Sequence, residues 1–190
     1  ILLAGHLRVL VENPIVSVMN HMGYDAMTDI SREAQMKHKF VDIALKVDGV
    51  VKLLVEAKAA GETLRDRHID QAQHYASENN FRWVLLTNGV VWNLYHLTFE
   101  EGIEYERAFS VDLSKPEEVE AGCEKLALLH KQAIKKGELD EFWIRSTALN
   151  PASIGKAMFQ EGVLQVIRRE IRRDAGLLID QEDLGAAIHQ

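Results

Sequence analysis

Asp42, Glu56 and Lys58 are of the residue types that hold a metal ion and activate water. Asp42 lies in the alternating run FVDIALKV over 40–47, and Glu56 and Lys58 lie in the run VVKLLVEAK over 50–58. In a strand, residues i and i+2 share one face, so Glu56 and Lys58 point the same way. Two carboxylates on adjacent strands can hold a divalent cation through oxygen, with water completing the shell. Such a cation acidifies a bound water and stabilises charge on a phosphoryl oxygen. A lysine beside it can hold the attacking water and neutralise developing negative charge. The combination suits phosphodiester hydrolysis.

Whether Asp42 joins the other two depends on the turn between the runs. Asp48-Gly49 is a tight-turn signal. A plain two-residue loop there sets Asp42 opposite Val55, on the face away from Glu56. A three-residue loop or a bulge brings Asp42 to the face of Leu54, Glu56 and Lys58. The site therefore requires an odd loop or a bulge. Val51, Leu53, Val55 and Ala57 make the other face of this strand. A strand this apolar is expected to be covered on both sides, and a carboxylate within it needs a partner or a metal.

Downstream, 66–79 reads as a helix with Ile69, Ala72 and Ala76 inward. Gln71 and Tyr75 stand at i and i+4 and share a face. A glutamine there can orient a water or a carboxylate, and a tyrosine can bond a phosphate or stack on a base, or serve as core. Arg65, Arg67 and His68 precede or open this helix, where they could touch phosphates or line a solvated loop.

The elements around these residues follow from periodicity. Residues 2–22 read as helix, with Pro14 as a kink or split and Gly23 as the stop. A strand is expected near 27–34. Residues 82–87 are apolar on both faces, as in a central strand, and 90–97 pairs back through Asn88-Gly89. Residues 1–112 thus form an α/β core. Residues 113–190 form a helical extension expected to pack on it. One helix opens at Ser114-Lys-Pro116 and ends at Lys136-Gly137, another starts at Asn150-Pro151, and a third covers 160–173. In that third helix Leu164, Ile167 and Ile171 form a buried stripe, and the arginines of 168–173 read as an exposed face.

Composition narrows the classes. The chain has 190 residues, 47% hydrophobic and 27% charged, which suits a globular protein and excludes disorder as the main state. No apolar run approaches the ~20 residues of a membrane span. The single cysteine, Cys123, excludes an internal disulfide framework and a cysteine-rich zinc site, and it points to a reducing, cytoplasmic compartment. Further residues are expected before Ile1. The net charge is −7, from 22 basic and 29 acidic side chains, and neither half is basic. Any nucleic-acid partner must be met by a local patch, a metal or an oligomer. The stretch Asn150–Ala157 misses a phosphate-binding loop, since Asn replaces the first Gly and Ala the final Ser or Thr.

An Asp on one strand, Glu-x-Lys on the next and Gln-x-x-x-Tyr on the following helix resemble the PD-(D/E)xK nuclease superfamily. Here they are Asp42, Glu56-Ala57-Lys58 and Gln71-Ala-Gln-His-Tyr75. Val41 stands where the motif has Pro. The stretches VDIALKVDGVVKLLVEAKAAGETL and FRWVLLTNGVVWNLYHL look like the N-terminal nuclease domain of type I restriction enzyme R subunits. The tail, with ELDEFWIRSTALNP, is more similar to stand-alone proteins described as predicted type IV restriction endonucleases. The resemblance implies a restriction-endonuclease-like core, a central mixed sheet flanked by helices, with a helical C-terminal extension. It implies a DNA endonuclease that uses Mg²⁺, with Mn²⁺ as substitute, acting in restriction of foreign DNA. Asp42 and Glu56 would bind the metal, Lys58 assist the water, Gln71 orient the site, and Tyr75, Arg65 and Arg67 meet substrate. Glu12 is a candidate for the further Glu that family members place in the first helix. A homodimer through the extension, or other restriction subunits, are the implied partners. The rival reading is a catalytically idle DNA-binding or assembly module of a restriction system.

Overall fold

The computed structural model describes residues 14–36, 39–100 and 102–188, without the side chains of 33–36, 39–40 and 71. Glu12 lies outside the described residues. The strands are β1 (Ile30–Met36), β2 (Lys39–Val47), β3 (Val50–Ala57), β4 (Trp83–Thr87), β5 (Val91–Thr98) and β6 (Glu104–Asp112). They form one six-stranded sheet in the order β1-β2-β3-β4-β5-β6. All neighbours run antiparallel except β3 and β4, which are parallel. A 3₁₀ turn (Asp66–Ile69) and a helix (Asp70–Asn79) connect that parallel pair. Residues 14–21 are helical. Numbering that helix α1 makes Asp70–Asn79 α2. The result is the α/β restriction-endonuclease-like arrangement, a mixed sheet flanked by helices with more helices after it.

The β2–β3 hairpin turns on two residues. Asp48 and Gly49 have φ of 52° and 79°, both left-handed, as a primed turn requires. Val47 pairs with Val50, and Lys46 with Val51. The ladder then slips, so that Leu45 pairs with Leu53 and exposed Lys52 is the extra residue of a bulge. Of the two devices the site requires, the bulge is the one present. A second slip, between Leu94 and Tyr95 on β5, makes Ala108 the extra residue on β6.

The sheet is buried on both faces. On one, Ala44, Leu54, Val84, Leu86, Tyr95 and Leu97 pack with Ile69, Ala72, Tyr75 and Ala76 from the 3₁₀ turn and α2. On the other, Ile43, Leu53, Leu85, Leu94, Phe109 and Val111 are buried. There α3 (Val119–Ala127) contacts β6 and α4 (Lys131–Lys136) contacts β2. The α3 approach is close enough that a Cβ on Gly122 would lie 2.6 Å from Val111 Cγ1.

The single helix expected over 114–137 is instead a 3₁₀ turn (Pro116–Glu118), α3 and α4. The break at 128–130 has a tertiary cause. Leu129 is fully buried, its carbonyl accepts the Tyr24 hydroxyl at 2.9 Å, and the Lys131 N–H donates to Met22 O at 2.9 Å. His130 Nδ1 then caps α4 by accepting the Gln132 N–H at 3.1 Å.

Lys131 also reaches back to the start of the sheet. Its Nζ donates to Asp29 Oδ2 at 2.7 Å, and the Asp25 N–H donates to the same oxygen at 2.8 Å. The lysine first, then that N–H, hold the Asp29 carboxyl below its usual range. A depressed carboxylate pKa contributes stability that is complete above the unfolded value near pH ~3.9 and is lost as pH falls through the folded pKa. Lys131→Met is therefore expected to be less stable than wild type at pH 7, with the gap narrowing at pH 3. Denaturant titrations at the two pH values check this, and an equal gap at both refutes it.

The chain divides into two compact units, one ending at Asp140 and one running from Glu141. The later helices are α5 (Glu138–Ala148), α6 (Pro151–Met158), α7 (Glu161–Ala175) and α8 (Gln181–Ile188). Asn150 Oδ1 accepts the Ser153 N–H at 2.7 Å, so this stretch is a capped helix start. On α7, Leu164 is buried, Ile167 and Ile171 are half-buried, and Arg169, Arg172 and Arg173 are exposed. Among the described residues no helix is long and apolar enough to cross a membrane.

Candidate active site

The bulge at Lys52 sets which side chains meet above it. From there the β2–β3 pairs run Leu45–Leu53, Ala44–Leu54 and Ile43–Val55. One further step in that register places Asp42 opposite Glu56, and side chains directly opposite share a face. Asp42 Oδ2 accepts the Ala57 N–H at 2.7 Å. The carboxylate thus occupies a position normally filled by a main-chain acceptor, which fixes it against the end of β3.

Lys58 follows the last residue of β3. Its N–H donates to Thr87 O at 2.7 Å, continuing the parallel ladder beyond the Ala57–Thr87 pair. Its Nζ donates to Glu56 Oε1 at 2.6 Å. The lysine side chain is 23% exposed and that of Glu56 4%. The ammonium therefore stands at the wet rim, while the carboxylates of Asp42 and Glu56 are buried. The structure brings together Asp42, Glu56 and Lys58 at the carboxyl end of β3.

Among the described residues no three His, Cys, Asp or Glu side chains gather as a metal cage. The donor set is two carboxylates on neighbouring strands. Mg²⁺ is commonly held by one or two carboxylates, the rest of its octahedron coming from water and substrate phosphate. Asp42 and Glu56 fit that mode, and they do not fit a closed all-protein site.

The other candidates are placed as follows. Gln71 is on α2, and its side chain lies outside the described residues. Tyr75 is 5% exposed, inside the core beneath α2, with its ring centroid 5.9 Å from that of Phe81. So buried, it offers almost no surface to a ligand in this structure. Arg65 and Arg67 are exposed at the 3₁₀ turn. The Arg65 N–H donates to His68 Nδ1 at 3.3 Å, and His68 Nε2 lies 3.6 Å from Glu62 Oε1.

One neighbour of the site, Thr87, and one residue of the 3₁₀ turn, Asp66, escape the sequence reading. Thr87 anchors Lys58 through its carbonyl, across a parallel ladder separated by a helix, and parallel partners leave no turn signal. Asp66 Oδ1 accepts the Tyr95 hydroxyl at 2.8 Å. Burial first, and then Asp66, push the Tyr95 phenol well above its usual pKa, so it remains a donor. The only available hint was the Asp66 position in an Arg-Asp-Arg loop.

The family model described as Type I restriction enzyme R protein N terminus matches residues 14–107, just under half of the chain. That stretch contains Asp42, Glu56, Lys58, Gln71 and Tyr75 and nearly the whole sheet. No curated protein and no solved structure matches the chain.

Proposed function

We propose, from residues 14–107 that are similar to the N terminus of type I restriction enzyme R proteins, that this chain is a Mg²⁺-dependent DNA endonuclease acting in restriction of foreign DNA. The observation that carries the reading is the convergence of Asp42, Glu56 and Lys58 at the end of β3, with Lys58 Nζ already 2.6 Å from Glu56. In this reading Asp42 and Glu56 hold the cation. When bound, it supplies charge neutralisation at the phosphoryl oxygen and a more acidic water. Mn²⁺ substitutes, having the same oxygen preference.

Lys58 holds the attacking water against the phosphorus and offsets negative charge as it develops. The water oxygen bonds to phosphorus as one of its protons passes to solvent, the bond to one sugar oxygen breaks, and that oxygen takes up a proton from solvent. Gln71 orients the site from α2. Arg65 and Arg67, exposed beside the entry to α2, meet backbone phosphates. Tyr75 acts from the core by fixing the pitch of α2 over the sheet. Because the chain carries a net charge of −7, other restriction subunits or a second copy supply much of the grip on DNA.

Conversion of supercoiled plasmid to nicked or linear form tests the reading. Cleavage is expected with Mg²⁺ or Mn²⁺ and is expected to vanish on chelation. No cleavage with either metal, by a folded chain that binds DNA, would favour the idle DNA-binding module instead.

A further inference from the structure

We propose that the cavity between the 61–64 loop and the ends of β4, β5 and β6 is a nucleotide subsite, which takes a DNA nucleotide about three positions from the one being cut. The proposal rests on the nuclease reading and extends it to how substrate is held. The cavity measures about 480 Å³ and is lined by Glu62, Thr63, Leu64, Asn93, Arg107 and Ser110, among others. That is the size range of small-ligand sites.

The sheet register ties this cavity to the carboxylates. Glu56 pairs with Leu86, Leu86 with Asn93, and Asn93 with Ser110. With Asp42 opposite Glu56, one transverse row on one face reads Asp42, Glu56, Leu86, Asn93, Ser110. Asn93 is two strand spacings from Glu56, roughly 10 Å. That is about three nucleotide rises of ~3.4 Å along a strand of DNA. The β6 bulge at Ala108 matters here, because it returns Arg107, the partner of Tyr95, to the same face as Ser110.

The lining chemistry suits a nucleotide better than a bare anion. Asn93 is 6% exposed, and its Oδ1 accepts from Ser110 Oγ at 2.7 Å. One lone pair of the carboxamide oxygen is thereby used, and the amide NH₂ supplies donors. Arg107 lies against the Tyr95 hydroxyl, which accepts a hydrogen bond from it, and its exposed guanidinium supplies the one cation among the lining residues, for a phosphate. Glu62 offers an acceptor for a base amine. Leu64, Val90 and Val91 give apolar walls for a base or sugar face. Asn88 holds the cavity open. Its Oδ1 accepts the Val90 and Val91 N–H groups at 3.0 and 2.8 Å, and its Nδ2 donates to Glu62 O at 2.8 Å. The 61–64 loop is thus pinned to the β4–β5 turn.

Duplex-oligonucleotide binding by anisotropy at several salt concentrations, with Mg²⁺-dependent cleavage in parallel, tests the subsite. Arg107→Ala is expected to weaken binding about tenfold and lower the salt slope by about 1, and Arg107→Lys to restore the slope. Asn93→Leu is expected to weaken binding by a similar factor without changing the slope. Arg107 is exposed and its contact with the Tyr95 hydroxyl is a single hydrogen bond, so its variants should stay folded under the assay conditions, which the unfolding midpoint checks. Wild type that cuts DNA, with Arg107→Ala and Asn93→Leu binding and cutting equally well, overturns the subsite and leaves the nuclease reading intact. Wild type that binds DNA through Arg107 yet never cuts it keeps the subsite and overturns the nuclease reading. Wild type that neither binds nor cuts overturns both.

Discussion

Lys58→Ala is expected to lower Mg²⁺-dependent DNA cleavage by about 10²–10³-fold, the usual loss when one preorganised charge donor is removed from a reacting centre. The change removes the ammonium 2.6 Å from Glu56 Oε1 and leaves the Lys58 N–H bond to Thr87 in place. The strand end therefore keeps its ladder. Breaking the pair exposes Glu56 to a desolvation penalty, but Lys58 is 23% exposed, so water replaces part of the lost partner. The stability cost is expected to stay below roughly 2 kcal/mol. A companion change, Asp42→Asn, keeps an acceptor for the Ala57 N–H while removing the charge that would hold a cation. Calorimetric Mg²⁺ binding should disappear in Asp42→Asn and persist in Lys58→Ala. Full cleavage by Lys58→Ala, or unchanged Mg²⁺ binding by Asp42→Asn, would remove the basis for assigning these residues.

The second large effect concerns position rather than charge. In the double variant Glu56→Ala with Ala57→Glu, composition is unchanged and the carboxylate moves by one residue. In a strand that step carries it to the opposite face, away from Asp42. Loss of a metal-holding group removes several kcal/mol of transition-state stabilisation, or about three decades of rate at 1.4 kcal/mol each. Cleavage is therefore expected to fall by at least ~10³-fold, while the circular dichroism of the folded chain is retained. Deleting Lys52 gives the contrasting arm. The pairs on either side of the bulge, Lys46–Val51 and Leu45–Leu53, would then follow each other as in a regular hairpin. Asp42 and Glu56 would still face each other, so this deletion should leave cleavage within a few-fold of wild type. Equal activity in the swapped variant, or loss on deleting the exposed Lys52, would show that register is not what assembles the site.

These two features mark where sequence reading succeeds and where it stops. The alternation of 40–47, the two-sided apolarity of 82–87, the Asp48-Gly49 turn and the stripe Ile69, Ala72, Ala76 are local signals, and each corresponds to an observed element. The need for an irregularity between Asp42 and Glu56 was also legible, because a period of two makes any shift of one residue visible. Its form was not, since a three-residue loop and a bulge give the same facing. β6 escaped because its first half is an exposed polar edge and its phase slips at Ala108. The split of α3 from α4 arises from Tyr24 and Met22, more than a hundred residues away in sequence, as the 105-residue separation of the Tyr24–Leu129 bond shows. The burial of Tyr75 depends on Phe81 and on the depth at which α2 sits, neither of which a spacing of four residues encodes. The cavity residues left one trace, a carboxamide at 93 between the apolar Trp92 and Leu94.

The order of strands in the sheet is also their order along the chain. Each ladder closes between neighbouring stretches, and the widest gap, from β3 to β4, is bridged by α2. Low contact order of this kind favours fast closure. A chain emerging from the ribosome can therefore add its strands one at a time, with Asp42 and Glu56 face to face before β4 has been made. The reverse face is completed last. Until α3 and α4 arrive, Phe109 and Val111 lack their cover and Asp29 lacks Lys131. A nascent chain paused at Asp112 would carry an assembled carboxylate pair on a sheet whose Phe109 and Val111 lie uncovered, the kind of surface that chaperones hold and that aggregates when left unattended.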